Sequence, residues 1–519
     1  SSSLLDIFPQ LQTLVIRNIH ESDGNELVPY LSVIPFIEKL VLNNCPLNKI
    51  SKLICEHLLN NSINNRLTSC ILHNTNEKDG ILIEEPILSL YQPQHSLVYL
   101  RIDVRDFASL KYLLMFLPEL STLDVHLGID VTKSDQDLFP LSFNPCRHLT
   151  KLVLRLRNMV VQDFMSVIKF ILLFRNSLIT LHLALIHQDP NVRRSLTYID
   201  GDYLFKEIVV QMTMMREFSF LIETTCLCNR QIDNIIRSFQ TTYWLTMRIG
   251  CHYDSINCVY VIFTLPYIFD LPFLIMNDII NTKFNQTNDR LDCLIPMLFH
   301  KTPGVILLIG ENESLSALFI DMLKKGSHKG KSIKIKPDGI YQLQHNDQKF
   351  LQFDTLEIQR RYENQPSDGF TNTTKTWLNW MPHIRILNID NELLLQLIIN
   401  NINIDQFSSL EVLIVRQTKN SLLVEPLTII TRLGMSSSLY TIHIQQYRAN
   451  SQLTNVDPII AIDKICQNIR KLKVMSIEFS KDALFNNRIL ENINDIQKKN
   501  CRLKYIHMSS DYIELWFSQ

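Results

Sequence analysis

One short apolar pattern recurs along almost the whole chain. Its clearest copy occupies residues 37–47, IEKLVLNNCPL, with apolar side chains at the first, fourth and sixth positions. Comparable six-residue units begin at Leu11, Ile37, Leu67, Leu97, Leu120, Leu149, Leu178 and Met215, and then at Phe353, Ile384, Leu410, Leu439, Leu472 and Leu503. Within each set the starts lie between 23 residues (Leu97 to Leu120) and 37 residues (Leu178 to Met215) apart. Isolated matches arise easily by chance, so the regular spacing carries the information.

Each unit predicts a strand that is followed by a helix. Alternating apolar positions indicate a strand with one buried face, and segments with helical periodicity lie between units, for example residues 107–117, 161–174 and 203–214. A strand and a helix in about 29 residues are typical of the helix-containing leucine-rich repeat. The sequence therefore predicts an α/β fold: a right-handed leucine-rich-repeat solenoid of horseshoe shape, with a parallel concave sheet, outer helices and an irregular middle.

The spacing also predicts where the chain divides. We expect one repeat array over residues 1–240 and a second over residues 351–519. Residues 241–350 interrupt the pattern, and we interpret them as degenerate repeats or an insertion within one solenoid. Two separate arrays joined by a small domain are the alternative. At 519 residues the chain is too long for one ordinary core, which agrees with an elongated array or several domains.

The net charge and the cysteines indicate which partners and which cellular compartment to expect. A net charge of -1 gives no global field toward nucleic acid or an anionic membrane, so we expect neither as a partner. The eleven cysteines lack the dense spacing of a disulfide scaffold, which favours a reduced cytoplasmic or nuclear protein. Residues 258–276 are long and apolar enough for a membrane helix, but Pro266, Asp270 and Pro272 favour a buried strand and turn.

No arrangement of residues in the sequence indicates catalysis. Residues 326–332, GSHKGKS, resemble a phosphate-binding loop, but they are one residue short and follow a helical stretch instead of a strand. A group of candidate ligands lacks the spacing of a metal site and suits cysteines in an apolar core better: Cys226, Cys228, Cys251, His252 and Cys258. Histidines occur at solvent-facing strand positions, yet His126 and His182 are two repeats apart and too distant for one metal ion. We therefore predict no catalytic residue, no cofactor and no metal ligand.

The side chains between the leucines form the surface that a partner would contact. Because side chains alternate along a strand, the residues between inward-facing leucines point to solvent. We predict a partner-binding surface of mixed charge that includes Arg101, Asp103, Asp124, His126, Arg155 and His182. A polar surface with few large hydrophobic side chains suits a specific protein interface, so we predict a non-catalytic protein-protein interaction module.

The repeat units resemble those of divergent F-box leucine-rich-repeat proteins. The similarity lies in strands such as His148-Leu-Thr-Lys-Leu-Val-Leu154 and Phe407-Ser-Ser-Leu-Glu-Val-Leu413, which alternate with apolar helices, and in the closing unit at Leu503. The resemblance implies that the repeats hold a substrate for a ubiquitin ligase. In that family an F-box precedes the repeats, whereas here the first unit begins at Leu11 and leaves no room for one within this sequence.

The sequence is also compatible with two functions other than protein recognition by an F-box-type receptor. One is a nucleotide-binding switch or an enzyme centred on residues 241–350, which Lys331 would serve through a phosphate. The other is an extracellular recognition protein with leucine-rich repeats, which glycosylation sequons such as those at Asn60 and Asn285 would suit.

Overall fold

The part of the chain that can be described is discontinuous. The computed structural model describes residues 11–17, 37–43, 66–73, 80–82, 95–128, 146–157, 161–186, 198–225, 232–254, 259–269, 273–276, 279, 281–286, 294, 297–298, 304–309, 332–337, 354–358, 378, 381, 383–390, 394, 409–416, 439, 441–447, 474–479, 503–508 and 512–517.

Strands dominate these ranges. They are β1 Thr13–Arg17, β2 Lys39–Asn43, β3 Ser69–His73, β4 Tyr99–Val104, β5 Thr122–Gly128, β6 Lys151–Arg157, β7 Thr180–Ile186, β8 Glu217–Thr225, β9 Arg248–Asp254, β10 Val259–Leu265, β11 Phe273–Met276, β12 Lys283–Phe284, β13 Gly304–Ile309, β14 Ser332–Pro337, β15 Thr355–Ile358, β16 Ile386–Asp390, β17 Val412–Arg416, β18 Thr441–Tyr447, β19 Val474–Phe479, β20 Leu503–Met508 and β21 Tyr512–Phe517. The α-helices in the described ranges are α1 Phe107–Met115, α2 Val161–Leu172, α3 Gly201–Glu207 and α4 Ile232–Ser238.

The first compact unit comprises Ser1–Leu265 and Asn281–Asp289 and contains an open, mostly parallel sheet. Strands β1 to β8 pair in chain order and in parallel, and the sheet then continues through antiparallel pairs in the order β8, β10, β9, β12. Beyond β8 the chain therefore stops adding parallel strands and folds back as the β9–β10 hairpin. The α/β class and the parallel sheet of the prediction are confirmed for this unit.

The leucines of the repeated unit build the core of the first sheet. The fourth positions pair across neighbouring strands, as Leu40 does with Cys70 and Leu152 does with Leu181. All four side chains are fully buried. Because side chains alternate along a strand, the sixth positions share this face and extend the same core. The burial also raises the pKa of the Cys70 thiol to about 12.

The helices cover this apolar face. Leu110, Leu113 and Leu114 of α1 belong to the same buried cluster as the strand leucines. Asp106 caps α1, since its carboxylate accepts a hydrogen bond of 2.7 Å from the backbone N–H of Ser109. The sequence predicted helices over residues 107–117, 161–174 and 203–214, and α1 and α2 match closely.

Helix α3 is shorter than its apolar pattern predicted. It begins after the capping residue Asp200 and ends at Glu207, and the chain continues as a short 3-10 turn over Val209–Gln211. Ile208, between the two, has φ -118° and ψ -62°, outside regular helical geometry. The β-branched pair Val209 and Val210 has low helix propensity, which agrees with a break at this point.

The second compact unit comprises Pro266–Ile280 and Arg290–Gln519. Its sheet runs β11, β13, β14, β15, β16, β17, β18, β19 in parallel and ends with the antiparallel pair β21 and β20. The fourth positions again align: Leu356 pairs with Leu387, and Leu413 with Ile442, all of them fully buried. The strands within residues 241–350 are divided between the two sheets. Strands β9, β10 and β12 belong to the first sheet, and β11, β13 and β14 belong to the second.

The apolar run over residues 258–276 contains strands. Every residue of β10 is buried, and the run continues past Pro266 into β11 of the second sheet. The buried strand agrees with the prediction, whereas Asp270 and Pro272 of the predicted turn lie outside the described residues. None of the helices described combines the length and the apolar character that crossing a membrane requires.

Candidate functional site

The six polar residues singled out from the sequence lie on one face of the first sheet. In the strand register Arg101 is opposite Asp124, Asp103 is opposite His126, and His126 is opposite Arg155. His182 is opposite Val153, which lies two residues before Arg155 on the same strand. Residues that are opposite each other, or two apart on one strand, point to the same side of a sheet. We call this side, which carries His73, Arg101, Asp103, Asp124, His126, Arg155 and His182, the polar face.

An ion pair fixes the centre of the polar face. The guanidinium of Arg155 contacts the carboxylate of Asp124 through Nη1 and Oδ1. Arg101 approaches the same carboxylate from the other side, with its Nε 3.9 Å from Oδ2. Only 5% of Arg155 and 7% of Asp124 are exposed. Charged groups as buried as these are normally retained only when they are paired, so the carboxylate of Asp124 holds both arginines in place.

A second cluster surrounds Asp103. Nδ1 of His73 lies 2.9 Å from Oδ2 and 3.1 Å from Oδ1 of Asp103, and Nδ1 of His126 lies 3.3 Å from Oδ1. The two imidazole rings meet edge to face, with their centroids 5.4 Å apart. One carboxylate thus receives two histidines, one from each neighbouring strand.

The electrostatics of this cluster favour an ionised carboxylate. Burial of Asp103 opposes ionisation, but hydrogen bonds to His126 and His73 and the positive charge of these imidazoles when protonated outweigh that effect. The pKa of Asp103 consequently lies well below its ordinary value. At neutral pH Asp103 is therefore a fixed negative charge between two nitrogen donors.

His182 stands apart from this cluster. Its Nε2 lies 3.9 Å from a carboxylate oxygen of Glu217 on β8. Strand β6 separates its strand, β7, from β5, which carries His126. The structure therefore brings Asp103 and His126 together, and it brings Arg101, Asp124 and Arg155 together, but it leaves His182 beside a different carboxylate.

The contact of His73 with Asp103 was not predicted from the sequence, although the sequence contains a signal for it. Each of these residues directly follows a six-residue unit: LTSCIL precedes His73, LVYLRI precedes Asp103 and LSTLDV precedes His126. Equivalent positions of consecutive parallel strands are neighbours. An alignment of the units by their leucines would have placed histidine, aspartate and histidine side by side.

An apolar strip borders the charged clusters. Val15, Val41 and Ile71 occupy the same row of the sheet as Arg101, because each is opposite the next across β1, β2, β3 and β4. Val15 is 49% exposed. The polar face therefore changes, over four strands, from aliphatic side chains to paired charges.

Several candidates from the sequence fall outside the described residues. They are the loop-like residues 326–331, together with Cys226, Cys228 and Cys258. Cys251 is described, and it is a free, buried thiol on β9 whose pKa is raised by burial. His252, the next residue, points to the opposite side of the sheet, since side chains alternate along a strand.

Comparison with known proteins adds no relative. No protein-family model matches this sequence, and no curated protein matches it.

Proposed function

We propose that this chain is a non-catalytic recognition module, a leucine-rich-repeat solenoid that binds a protein partner on the polar face. The recurrent units support the solenoid, because β1 to β8 pair in parallel and in chain order. Helices α1, α2 and α3 each lie between consecutive strands of this series. A ladder of strand and helix units of this kind buries its apolar faces only by stacking, which is the principle of a solenoid.

One observation carries the proposal: the charges of the polar face are held in place before any partner arrives. Asp124 holds two arginines, and Asp103 holds two histidines, all on neighbouring strands of one sheet. Binding is weakened by the ordering of flexible side chains, so side chains that are already ordered favour affinity. Fixed charges of both signs also discriminate between partners by complementarity.

The apolar strip strengthens the assignment to a protein partner. Protein interfaces combine a hydrophobic centre with polar surroundings. Val15, which is 49% exposed, and the half-buried Ile71 offer the first component, and Arg101 with Asp124 offers the second. A partner with an apolar patch and neighbouring charged groups would match this surface.

Affinity capture with charge-reversed variants tests the proposal. The wild-type chain, Arg101→Glu and Arg175→Glu serve as baits, and quantitative mass spectrometry compares the captured proteins. Arg101 lies on the polar face with 22% of its side chain exposed, whereas Arg175 follows α2 and is exposed elsewhere. Circular dichroism establishes that both variants fold.

We expect a partner that the wild type and Arg175→Glu retain and that Arg101→Glu loses. With that partner purified, Arg101→Glu should raise Kd at least about 10-fold, which is about 1.4 kcal/mol. Partners that bind all three baits equally, or that depend on Arg175 alone, would contradict a role for the polar face.

The resemblance to F-box leucine-rich-repeat proteins supports a narrower version of the proposal. In that version the partner is a substrate delivered to a ubiquitin ligase. Cellular ubiquitination of the captured partner should then fall when Arg101→Glu replaces the wild-type residue in the full-length protein. Ubiquitination that does not change, despite lost binding, would leave a recognition module of another kind.

A further inference from the structure

Three metal-ligand side chains converge on the polar face from three adjacent strands. They are His73 on β3, Asp103 on β4 and His126 on β5, each of which offers one donor atom. All three donor atoms lie within 4.8 Å of one another. No other group of three or more such ligands is found among the residues described.

The two nitrogen–oxygen separations agree with those between neighbouring ligands of a bound transition-metal ion. Zinc binds histidine nitrogen and carboxylate oxygen at about 2.0–2.2 Å, which sets neighbouring ligand atoms about 2.9–3.5 Å apart in tetrahedral or octahedral geometry. Here the Nδ1 atoms of His73 and His126 lie 2.9 Å and 3.3 Å from the nearest Asp103 oxygens. A metal ion bound by all three ligands would lie between these atoms in place of the hydrogen bonds, and the donor atoms of the two histidines are within 4.8 Å of each other.

The donor set selects the class of metal. Calcium and magnesium prefer oxygen ligands, whereas imidazole suits zinc, iron, nickel and copper. Two histidines with one carboxylate form a ligand set used by divalent transition metals. Three protein ligands leave at least one coordination position for water or for a donor from another molecule.

The surroundings suit a cation. The three ligands lie on paired strands and not on loops, so the sheet holds them in fixed relative positions. His73 is 25% exposed, which gives an ion from solvent a route to the cluster. Asp124 pairs with both Arg101 and Arg155 and offsets one of their two positive charges.

We infer that His73, Asp103 and His126 form a binding site for a divalent transition metal, with zinc as the reference ion. The site goes beyond partner recognition and does not depend on it. A metal site differs from a cluster held only by hydrogen bonds, because it binds one metal ion per chain in a defined coordination shell.

Zinc titration of the tag-free chain, stripped with a chelator, tests the inference. Isothermal titration calorimetry should detect one equivalent of Zn²⁺ that binds tightly to the wild type and weakly to Asp103→Asn and to His126→Gln. Affinity at that equivalent should fall at least about 100-fold in each variant, because even the loss of an outer-shell partner often costs 10–100-fold.

His148→Gln is the matched control. His148 lies 3.8 Å from Glu119 in an exposed histidine–carboxylate pair of the same unit. This variant should bind zinc as the wild type does. Equal stoichiometry and affinity in Asp103→Asn and the wild type would overturn the inference, and so would an equal loss in His148→Gln.

X-ray absorption at the zinc edge provides a readout that a purely structural cluster would not give. The wild type with one equivalent of Zn²⁺ should show two imidazole ligands, and His73→Gln should show one. His73 is the most exposed of the three ligands, so this variant is the least disturbing to the fold. Spectra without imidazole scattering would overturn the inference even if calorimetry recorded binding.

Discussion

The guanidinium of Arg155 on β6 pairs with the carboxylate of Asp124 on β5, and only 6% and 10% of the two side chains are exposed. An ion pair of this kind binds neighbouring strands to each other through charge and not through the leucine core. Its strength depends on both partners, because a buried charge without its counterion is strongly destabilising.

Removal of one partner should therefore destabilise the first unit markedly. Asp124→Ala should lower the free energy of unfolding by about 3–5 kcal/mol, since it leaves the Arg155 guanidinium buried without this carboxylate. Urea unfolding followed by Trp244 fluorescence measures the change, in a background with the other three tryptophans replaced by phenylalanine. Trp244 is fully buried in the first unit and reports on it directly.

An exposed pair in the same unit provides the control for this measurement. Lys283 and Asp233 are 2.6 Å apart, but 48% and 45% of their side chains are exposed. Asp233→Ala should cost less than about 1 kcal/mol, because solvent screens such pairs. Similar losses in Asp124→Ala and Asp233→Ala would show that burial of the Arg155 pair is energetically unimportant.

Truncation of a core leucine should also lower the free energy of unfolding, but through a cavity and not through an unpaired charge. Leu152→Ala should lower the free energy of unfolding by about 2–5 kcal/mol, because the side chain is fully buried between neighbouring strands and leaves a cavity. The same fluorescence experiment measures it. Val98→Ala is the matched control, since 44% of Val98 is exposed and little apolar surface returns to water. A loss below 0.5 kcal/mol, roughly the level of a neutral surface substitution, would contradict the inward orientation of Leu152.

Acid should weaken the fold through Asp103. Its pKa in the folded chain is lowered, so the ionised carboxylate stabilises the fold above its unfolded pKa of about 4. That stabilisation is lost as the pH falls through the lower, folded pKa. Asp103→Asn cannot take up this proton, so between about pH 5 and pH 2 its stability should decline less steeply than that of the wild type.

Chemical denaturation at a series of pH values measures the two slopes. Asp202→Asn, at an exposed position of the same unit, controls for the loss of one negative charge. If Asp103→Asn and the wild type declined with the same slope, the hydrogen bonds to His73 and His126 would not stabilise the ionised form.

Alternation along the strands made much of the first sheet predictable. A strand with one buried face repeats every two residues, so the fully buried Leu152 and Leu181 identify the core side. Arg155 and His182 then follow on the opposite side without further information. The polar face as a set of residues could therefore be predicted from the sequence.

Prediction of the contacts within the polar face requires the register between neighbouring strands. His73 and Asp103 are 30 residues apart, and only the pairing of β3 with β4 brings them together. The segments between units vary in length, so spacing alone does not determine which polar side chains meet. The unit-by-unit alignment of the leucines carries this information, because it places His73, Asp103 and His126 at equivalent positions of consecutive units.

The break in the repeated pattern after β8 has a structural cause. Residues around Trp244 do not fit the repeated unit because β9 and β10 form an antiparallel hairpin, and β10 pairs with β8 in place of a ninth parallel strand. A hairpin buried on both faces has no alternating pattern, as the continuous burial of β10 illustrates. Apolar periodicity cannot predict the direction in which such strands pair.

Gly80 provides a test of the backbone next to the Asp103 cluster. A Cβ at this position would lie 2.7 Å from the backbone N of Arg105 and the carbonyl carbon of Val104. The following residue, Ile81, donates its N–H to the Asp103 carbonyl oxygen at 2.9 Å and accepts a bond from the N–H of Arg105 at 3.0 Å. Only glycine allows the two segments to approach so closely.

Gly80→Ala should separate residues 80–82 from the end of β4. We expect a loss of about 1–3 kcal/mol in the free energy of unfolding, as for other overpacked sites, and faster hydrogen exchange at the amides of Ile81 and Arg105. Hydrogen exchange mass spectrometry measures the second effect. Leu82→Ala, in the same segment at a position that is 37% exposed, should leave both amides protected. Unchanged exchange in Gly80→Ala would mean that the segment tolerates a side chain here and that the close approach does not position β4.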